Sequence, residues 1–447
     1  MSARGEFSSR LGFVLAAAGS AVGLGNVWGF PTQVASNGGA AFVFVYIILA
    51  FALAYPVLMA EFVIGRASRS NMVDALGKIG GTAGKASGIW GCITVSLILA
   101  FYSLVAGVMT AFCLSSLSQL FGQAEWASWL MQDMGDGAAI VRNILFCGLF
   151  MVLTVLIVSG GVKDGIERWS VRLMPALLAI IVLLILYVMT QDGAMTGLKN
   201  YLLPDFSKVM NADLLLSAMG QAFFSMSLGV GTMLVYGSYV SKSEKLSTLG
   251  ASVALVDIGV AILAGLLIIP AMYVAAHNGV VIFNDAGELI AGPSLIFAVL
   301  PALFDTMGAA GSFVAFAFFA LMIIAAVTSS ISMLEVPVAY VVENKGVNRK
   351  KAVWIIAAII YFCSIVIALN FDDLFGLVIA LTTQYSQPLL GLMLCIFLGW
   401  VWKRDKVLAE LKQGDEQVES SLFWKIWPWY VRFVCPIVII FMFYRSL

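Results

Sequence analysis

Stretches such as Leu177–Met189 and Phe313–Val327 contain no charged residue, and a series of such runs narrows the possible folds more than any other feature of the chain. A helix that is apolar all round belongs in a large core or in a bilayer. Composition decides between the two. Of 447 residues, 61% are hydrophobic and 11% charged, against roughly 25% charged in an ordinary soluble domain. Such a chain cannot cover its own surface for water. A helix needs about 20 mostly apolar residues to cross a bilayer, whereas a barrel strand alternates over about 10. The unbroken runs fit helices, so the expected fold class is all-α integral membrane.

Charge and rare residues exclude several functions. The 25 Lys and Arg balance the 25 Asp and Glu, with no basic block outside the loops, which argues against a nucleic-acid partner. The single histidine, His277, leaves little room for histidine-based metal or acid–base chemistry. Cys92, Cys113, Cys147, Cys363, Cys395 and Cys435 are scattered through apolar segments without CxxC spacing and read as packing residues. The apolar run from Leu11 continues through Gly and Pro into a second run without a small-residue cleavage site, so the N-terminus is expected to stay in the mature protein.

Turn residues and charges divide the chain into eleven apolar segments, about 10–35, 39–65, 86–120, 140–159, 168–190, 213–240, 248–278, 310–343, 350–370, 374–402 and 424–444. Most Lys and Arg fall in the connections that share a side with the N-terminus, which places that terminus in the cytoplasm and the C-terminus outside. Two long connections on the other side, about 191–212 and 279–309, contain Pro204, Pro293 and Pro301 and are expected to dock as lids. One membrane domain accounts for residues 1–447, with about 10–190 and 213–402 as two halves and 424–444 as an extra helix.

Two spans carry breaks. The first contains Gly19-Ser20-Ala21-Val22-Gly23-Leu24-Gly25-Asn26 and the sixth Ser225-Met226-Ser227-Leu228-Gly229-Val230-Gly231. In hydrocarbon every backbone N–H and C=O needs a partner, so unwound backbone survives only where protein encloses it. Glycines also serve close helix packing. Their occurrence at equivalent positions five spans apart, each beside a polar residue, points instead to a transporter of two inverted five-helix repeats. Two phosphate-binding patterns fail: Gly84-Lys85 has Ile79 and Ala86 where Gly and Ser or Thr are needed, and Gly23-Leu24-Gly25 has Trp28 at the third glycine.

Arg10-Leu11-Gly12, Gly23-Leu24-Gly25-Asn26-Val27-Trp28, Phe30-Pro31, Asn37-Gly38-Gly39 and Gly220-Gln221-Ala222-Phe223-Phe224-Ser225 together resemble the neurotransmitter:sodium symporter family, in particular its eleven-span, bacterial LeuT-like amino-acid transporters. The resemblance runs from Arg4 to the final span. It implies a first sodium site from the Ala21 carbonyl, the Asn26 side-chain oxygen, the Ser225 hydroxyl and Asp257, completed by the substrate carboxylate. It implies a second from the carbonyls of Gly19, Val22 and Ala325 and the hydroxyls of Thr328 and Ser329. Shared ligation couples ion to solute. Asp257 lies inside the seventh span, where an ionisable group is costly and therefore functional by default; chloride-dependent relatives have a neutral residue here, so no chloride requirement is expected.

The same resemblance puts the substrate between the breaks. Its amine would bond carbonyls near Ala21 and in 224–227, and its carboxylate the Leu24 and Gly25 amides and the Tyr102 hydroxyl. Its side chain would face Ser20, Ile98, Phe224, Ser227, Val230, Ser329 and Met333. Neither Ala21 nor Gly23 is replaced by an Asp that could hold the amine of a monoamine, so the ligand should bring its own carboxylate. The mostly apolar lining favours a neutral apolar or aromatic α-amino acid. Glu61 reads equally as a support for unwound backbone or a helix-end charge, and Glu335 as snorkelling or bonding a neighbouring helix.

The implied cytoplasmic gate comprises Arg4, Phe7, Tyr239 and Glu343, with Arg4 equally readable as a positive-inside residue. At the outer gate relatives have Arg where this chain has Gly29, so the usual ion pair with an acid near Asp373 or Asp372 cannot form. Either another residue closes the path, such as Phe224 over Tyr102, or the outward state is unusually open. The resulting expectation is a sodium-driven symporter of the cell membrane whose partners are an amino acid, sodium ions and the bilayer. A transporter-like sensor that binds without translocation is the alternative, and an enzyme lacks a catalytic constellation.

Overall fold

Among the described residues nine helices are long and apolar enough to cross a membrane: Ala40–Ser68, Met72–Leu120, Gly137–Ser159, Val162–Met189, Leu246–His277, Ala310–Lys345, Arg349–Leu369, Phe371–Val401 and Leu422–Phe441. A computed structural model supplies the coordinates and describes residues 5–122, 128–132, 134–204, 206–209, 211–284, 289–292 and 294–446. No strand forms among these, only a single bridge between Phe283 and Leu289. The protein is an all-α membrane protein.

The first span is two helices, Arg10–Ala21 and Gly25–Ser36, bent by 51° at the break. Ser9 caps its start, its side chain accepting from the Gly12 N–H. The sixth is also divided, into Ala212–Ser225 and Thr232–Gly237. Between them Ser227, Gly229 and Gly231 have φ of 51°, 85° and 81°, a left-handed geometry that ends any helix and that glycine tolerates far better than serine. Both breaks therefore lie where the sequence places them.

Small residues let the helices touch. A Cβ at Gly65 of the second span would lie 2.0 Å from the Leu234 carbonyl oxygen, and one at Gly107 of the third 2.5 Å from the Cys147 amide nitrogen. Bilayers favour such close backbone approach, because dispersion replaces hydrophobic burial as the force between helices. Arg10–Ala21 packs against Val162–Met189, Leu246–His277 and the eighth span, so the first break lies at the centre of the bundle.

Two features extend the sequence segmentation. The third helix begins at Met72 rather than near 86, with a kink at Gly81 (φ 59°). The connection after Phe371–Val401 contains a short helix, Arg404–Lys412. Both long connections dock as expected: Tyr201, in the helix Ala194–Leu202, donates to the Ile262 carbonyl at 2.8 Å, and Trp28 Nε1 donates to the Gly292 carbonyl at 3.0 Å. Pro293 lies outside the described residues. All six cysteines are free thiols, four of them buried.

Candidate functional site

Residues from both breaks and from the seventh helix meet in a fully buried polar cluster. Asn26 Nδ2 donates to Asp257 Oδ1 at 2.7 Å, to the Asp257 carbonyl at 3.1 Å and to Ser225 Oγ at 2.9 Å. Ser225 Oγ donates to Asp257 Oδ1 and Oδ2 at 3.0 and 2.9 Å. Asn26 and Asp257 are completely buried and Ser225 nearly so. Removing a charge from water costs several kcal/mol unless it is paired or hydrogen-bonded, and here the side-chain donors to the carboxylate are a neutral amide and a neutral hydroxyl. The resemblance implied the Asn26 side-chain oxygen, the Ser225 hydroxyl and Asp257 as ligands of one sodium ion. The geometry differs, because Asn26 Oδ1 accepts from the Gly23 N–H at 3.1 Å and the nitrogen faces the acid. Ala21 is buried at the end of the first half-helix.

The second predicted set also converges. Ser329 Oγ lies 3.3 Å from both the Gly19 and Val22 carbonyls, and Thr328 Oγ1 donates to the Ala325 carbonyl at 3.0 Å and to that of Ile324 at 3.1 Å. A Cβ at Gly19 would be 3.1 Å from that of Thr328, so the eighth helix presses these hydroxyls against the end of the first half-helix. Bonding to its own helix, the ordinary behaviour of a membrane threonine, describes Thr328. Ser329 reaches across to the first span.

Between the two sets lie the residues expected to meet a substrate. The Leu24 N–H donates to the Tyr102 hydroxyl at 3.2 Å, and Ser227 Oγ donates to the Ser20 carbonyl at 3.3 Å. A Cβ on Gly23 would fall 2.4 Å from Ser329 Oγ and 2.8 Å from Tyr102 Oη, and one on Gly25 would meet the Phe224 ring at 3.1 Å. Ile98, Val230 and Met333 are buried. A cavity of about 470 Å³ leads to this region and is lined by Leu24, Gly29, Tyr102, Gln221, Phe224 and Gln384 among others. Phe224 and Tyr102 share its wall, and the tenth span contributes Ile379, Thr383, Gln384 and Pro388 rather than the exposed Asp372 and Asp373.

Three supporting residues were not assigned a bond from the sequence, or only ambiguously. Glu61 Oε1 accepts from the Gly229 N–H at 2.7 Å and Oε2 from that of Leu234 at 3.0 Å, so it supports the unwound backbone of the sixth span. Gln221 Nε2 donates to the Gly25 carbonyl at 2.8 Å, and its place in the Gly220–Ser225 motif was the only signal. Tyr46 Oη donates to Ser225 Oγ at 3.4 Å, and nothing in its apolar neighbourhood marked it.

The profile of the "Sodium:neurotransmitter symporter family" matches residues 4–133 and 127–447. The chain belongs to that family. It is 34% identical to the uncharacterized sodium-dependent transporter YhdH of Bacillus subtilis, over 98% of this chain and 96% of the relative. It is 32% identical to an uncharacterized sodium-dependent transporter of Haemophilus influenzae, over 99% and 98%. Among solved structures, that of MhsT in complex with L-phenylalanine matches with a TM-score of 0.85 and 36% identity, over 99% of this chain and all of MhsT. Membership makes the chain a sodium-dependent, multi-pass membrane transporter rather than an enzyme.

In this symporter the end of the bundle that holds the N-terminus is tightly bonded. The Phe7 ring lies 5.4 Å from that of Phe13 and 5.7 Å from that of Tyr236, and its N–H donates to the Tyr239 carbonyl at 3.2 Å. Tyr239 Oη donates to Glu335 at 2.7 Å, and Glu335 also accepts both Arg349 Nη groups at 2.6 and 3.0 Å. Glu335 thus bonds its neighbours rather than snorkelling. Glu343 accepts from the Asn71 N–H and Nδ2 at 2.8 and 2.9 Å. Arg4 lies outside the described residues. Glu167 accepts from Ser8 N–H and Oγ, both at 2.7 Å, and from Ser9 Oγ at 3.1 Å, a further fastening of the N-terminal segment.

Proposed function

We propose that this symporter uses a sodium gradient to import a neutral, apolar or aromatic α-amino acid by alternating access, with N-terminus inside and C-terminus outside, and without a chloride requirement. The observation that carries this reading is the buried Asn26–Ser225–Asp257 cluster at the meeting point of the two breaks. Its donors are an amide, a hydroxyl and a carboxylate, hard oxygen ligands suited to a small alkali cation. A half-turn of the Asn26 amide brings its oxygen beside Asp257. The second sodium occupies the Gly19, Val22, Ala325, Thr328 and Ser329 set.

The substrate carboxylate lies at the Leu24 and Gly25 amides beside Tyr102, next to the first sodium, so each ligand completes the other's site. The amine is held by carbonyls freed at the breaks, and the side chain by Ile98, Phe224, Val230 and Met333. That MhsT was crystallised with L-phenylalanine supports an aromatic substrate. Asp257 supplies in the protein the negative charge that chloride supplies in chloride-dependent relatives. The bonded N-terminal end and the cavity beyond the breaks support an outward-facing arrangement under this reading.

Purified protein in proteoliposomes tests this. Under an inward sodium gradient it should accumulate a radiolabelled neutral amino acid, phenylalanine being the first choice, and replacement of chloride by gluconate should leave uptake intact. Accumulation indifferent to sodium, or lost with chloride, overturns the reading. Gly29→Arg tests the outer gate: a slower substrate off-rate places gating there, and an unchanged one removes it.

A further inference from the structure

Three cations at the junction of the last two spans have no carboxylate partner among the described residues. Lys403 and Arg404 open the helix Arg404–Lys412, and Arg432 belongs to the last span. Arg432 stands two helical turns beyond Lys425, about 10 Å further along the axis at 1.5 Å per residue. Its guanidinium lies 4.3 Å from the centre of the Trp400 ring, and its Nε is buried without a hydrogen-bond partner. An ionised side chain set that far into a span is costly and marks function. The placement is built: a Cβ on Gly399 would lie 2.9 Å from Arg432 Cα, and Trp400 Nε1 donates to the Arg432 carbonyl at 3.0 Å.

These cations surround a cavity of about 250 Å³ whose walls include Trp400, Trp402, Trp424 and Trp427 and, among the described residues, no acidic one. An adjoining cavity of about 280 Å³ shares Trp402 and Lys403 and adds Lys78 and Lys406, again without an acid. The flanking surface is apolar, with Trp400, Trp429 and Ile426 each about half exposed. Cationic donors within, tryptophans around and exposed apolar side chains beside them match a ligand with an anionic head and hydrocarbon tails.

We propose that this is a binding site for the phosphodiester headgroup of an anionic glycerophospholipid. The headgroup oxygens accept from Arg432, with Lys403 and Arg404 completing the charge, and the acyl chains run along Ile426 and Trp429. A free phosphate would have no use for that apolar flank. The site is joined to the second and sixth spans, because Arg66 at the end of the second span donates to Glu410 Oε1 at 2.7 Å, to the Glu410 carbonyl at 2.6 Å and to the Glu244 carbonyl at 2.6 Å. Lipid held at Arg404 is thereby linked through one short helix to the second span and to the loop after the sixth.

Native mass spectrometry of the delipidated protein with added phosphatidylglycerol or phosphatidylcholine tests the site without reference to transport, so its failure is separate from failure of the symport reading. Phosphatidylglycerol should bind at least about tenfold better, and binding should fall about fivefold for each cation removed. The variants are Arg432→Gln and, on exposed residues that leave the fold unaffected, Lys403→Gln with Arg404→Gln. Lys412→Gln, whose side chain pairs instead with Glu419, should bind as the parent does. Equal binding of the two lipids, or variants that bind like the parent, overturns the proposal. So does competition by millimolar inorganic phosphate as effective as that by glycerophospholipid, which would assign the site to a free anion.

Discussion

Glu61 accepts the Gly229 N–H, inside the left-handed stretch, and the Leu234 N–H, in the first turn of the helix that follows, two donors that the break leaves without a helical acceptor. Glu61→Gln keeps the shape but turns one acceptor into a donor, leaving a buried N–H unsatisfied at a cost of about 1–3 kcal/mol. The expected outcome is a lower melting temperature in detergent and a loss of sodium-dependent substrate binding. Asp257→Asn leaves the cluster's size unchanged and removes its charge. Sodium-dependent uptake should fall at least about tenfold, the equivalent of about 1.4 kcal/mol, and the variant should become sensitive to chloride. Uptake by Asp257→Asn equal to the parent's would remove Asp257 from the ion site. At this scale the sequence was legible where a residue was chemically out of place: Asp257 in an apolar span, Thr328 and Ser329 together in another. Tyr46 was not, because a tyrosine among Phe42, Val43 and Ile47 looks the same whether its hydroxyl meets Ser225 or another partner.

Element ends and crossings follow from glycine placement, and two glycines separate packing from propensity. A Cβ on Gly65 would meet the Leu234 carbonyl oxygen at 2.0 Å, whereas nothing lies within 4 Å of one on Gly259. Gly65→Ala should therefore abolish folded protein or drive the second and sixth spans apart, while Gly259→Ala should leave the melting temperature unchanged or slightly raised, as alanine favours helix by up to about 1 kcal/mol. Size-exclusion profiles and thermal unfolding of the pair distinguish the two effects. Breaks in the first and sixth spans could be read in advance, since unwound backbone in lipid needs glycine and polar neighbours close by in sequence. The extension of the third helix back to Met72 and the helix Arg404–Lys412 could not be read from apolar runs, because both contain charged residues.

Across the whole molecule the N-terminal end is joined by bonds that cross several helices: Tyr239 and Arg349 to Glu335, Arg349 to the Val158 carbonyl at 3.0 Å, and Ser8 and Ser9 to Glu167. Glu335→Gln leaves Arg349 without its counter-charge and should shift the population towards an open N-terminal end. Apparent substrate affinity then falls in proportion to the competent fraction, about tenfold for a tenfold shift, and a cysteine placed at Phe7 should be labelled faster from the side that holds the N-terminus. Unchanged labelling would show that the network does not hold the gate. By itself the sequence determined that the chain crosses a membrane as helices, that two of them break and which family it joins, because each rests on local signals: hydropathy, glycine placement and short motifs. Only the tertiary structure decided that Glu61 supports the sixth span, that Gln221 reaches the Gly25 carbonyl and that the Asn26 nitrogen faces Asp257. Those bonds join residues on different helices, and hydrogen-bond reach of about 3 Å is set by how the helices cross and rotate against one another, which no local pattern encodes.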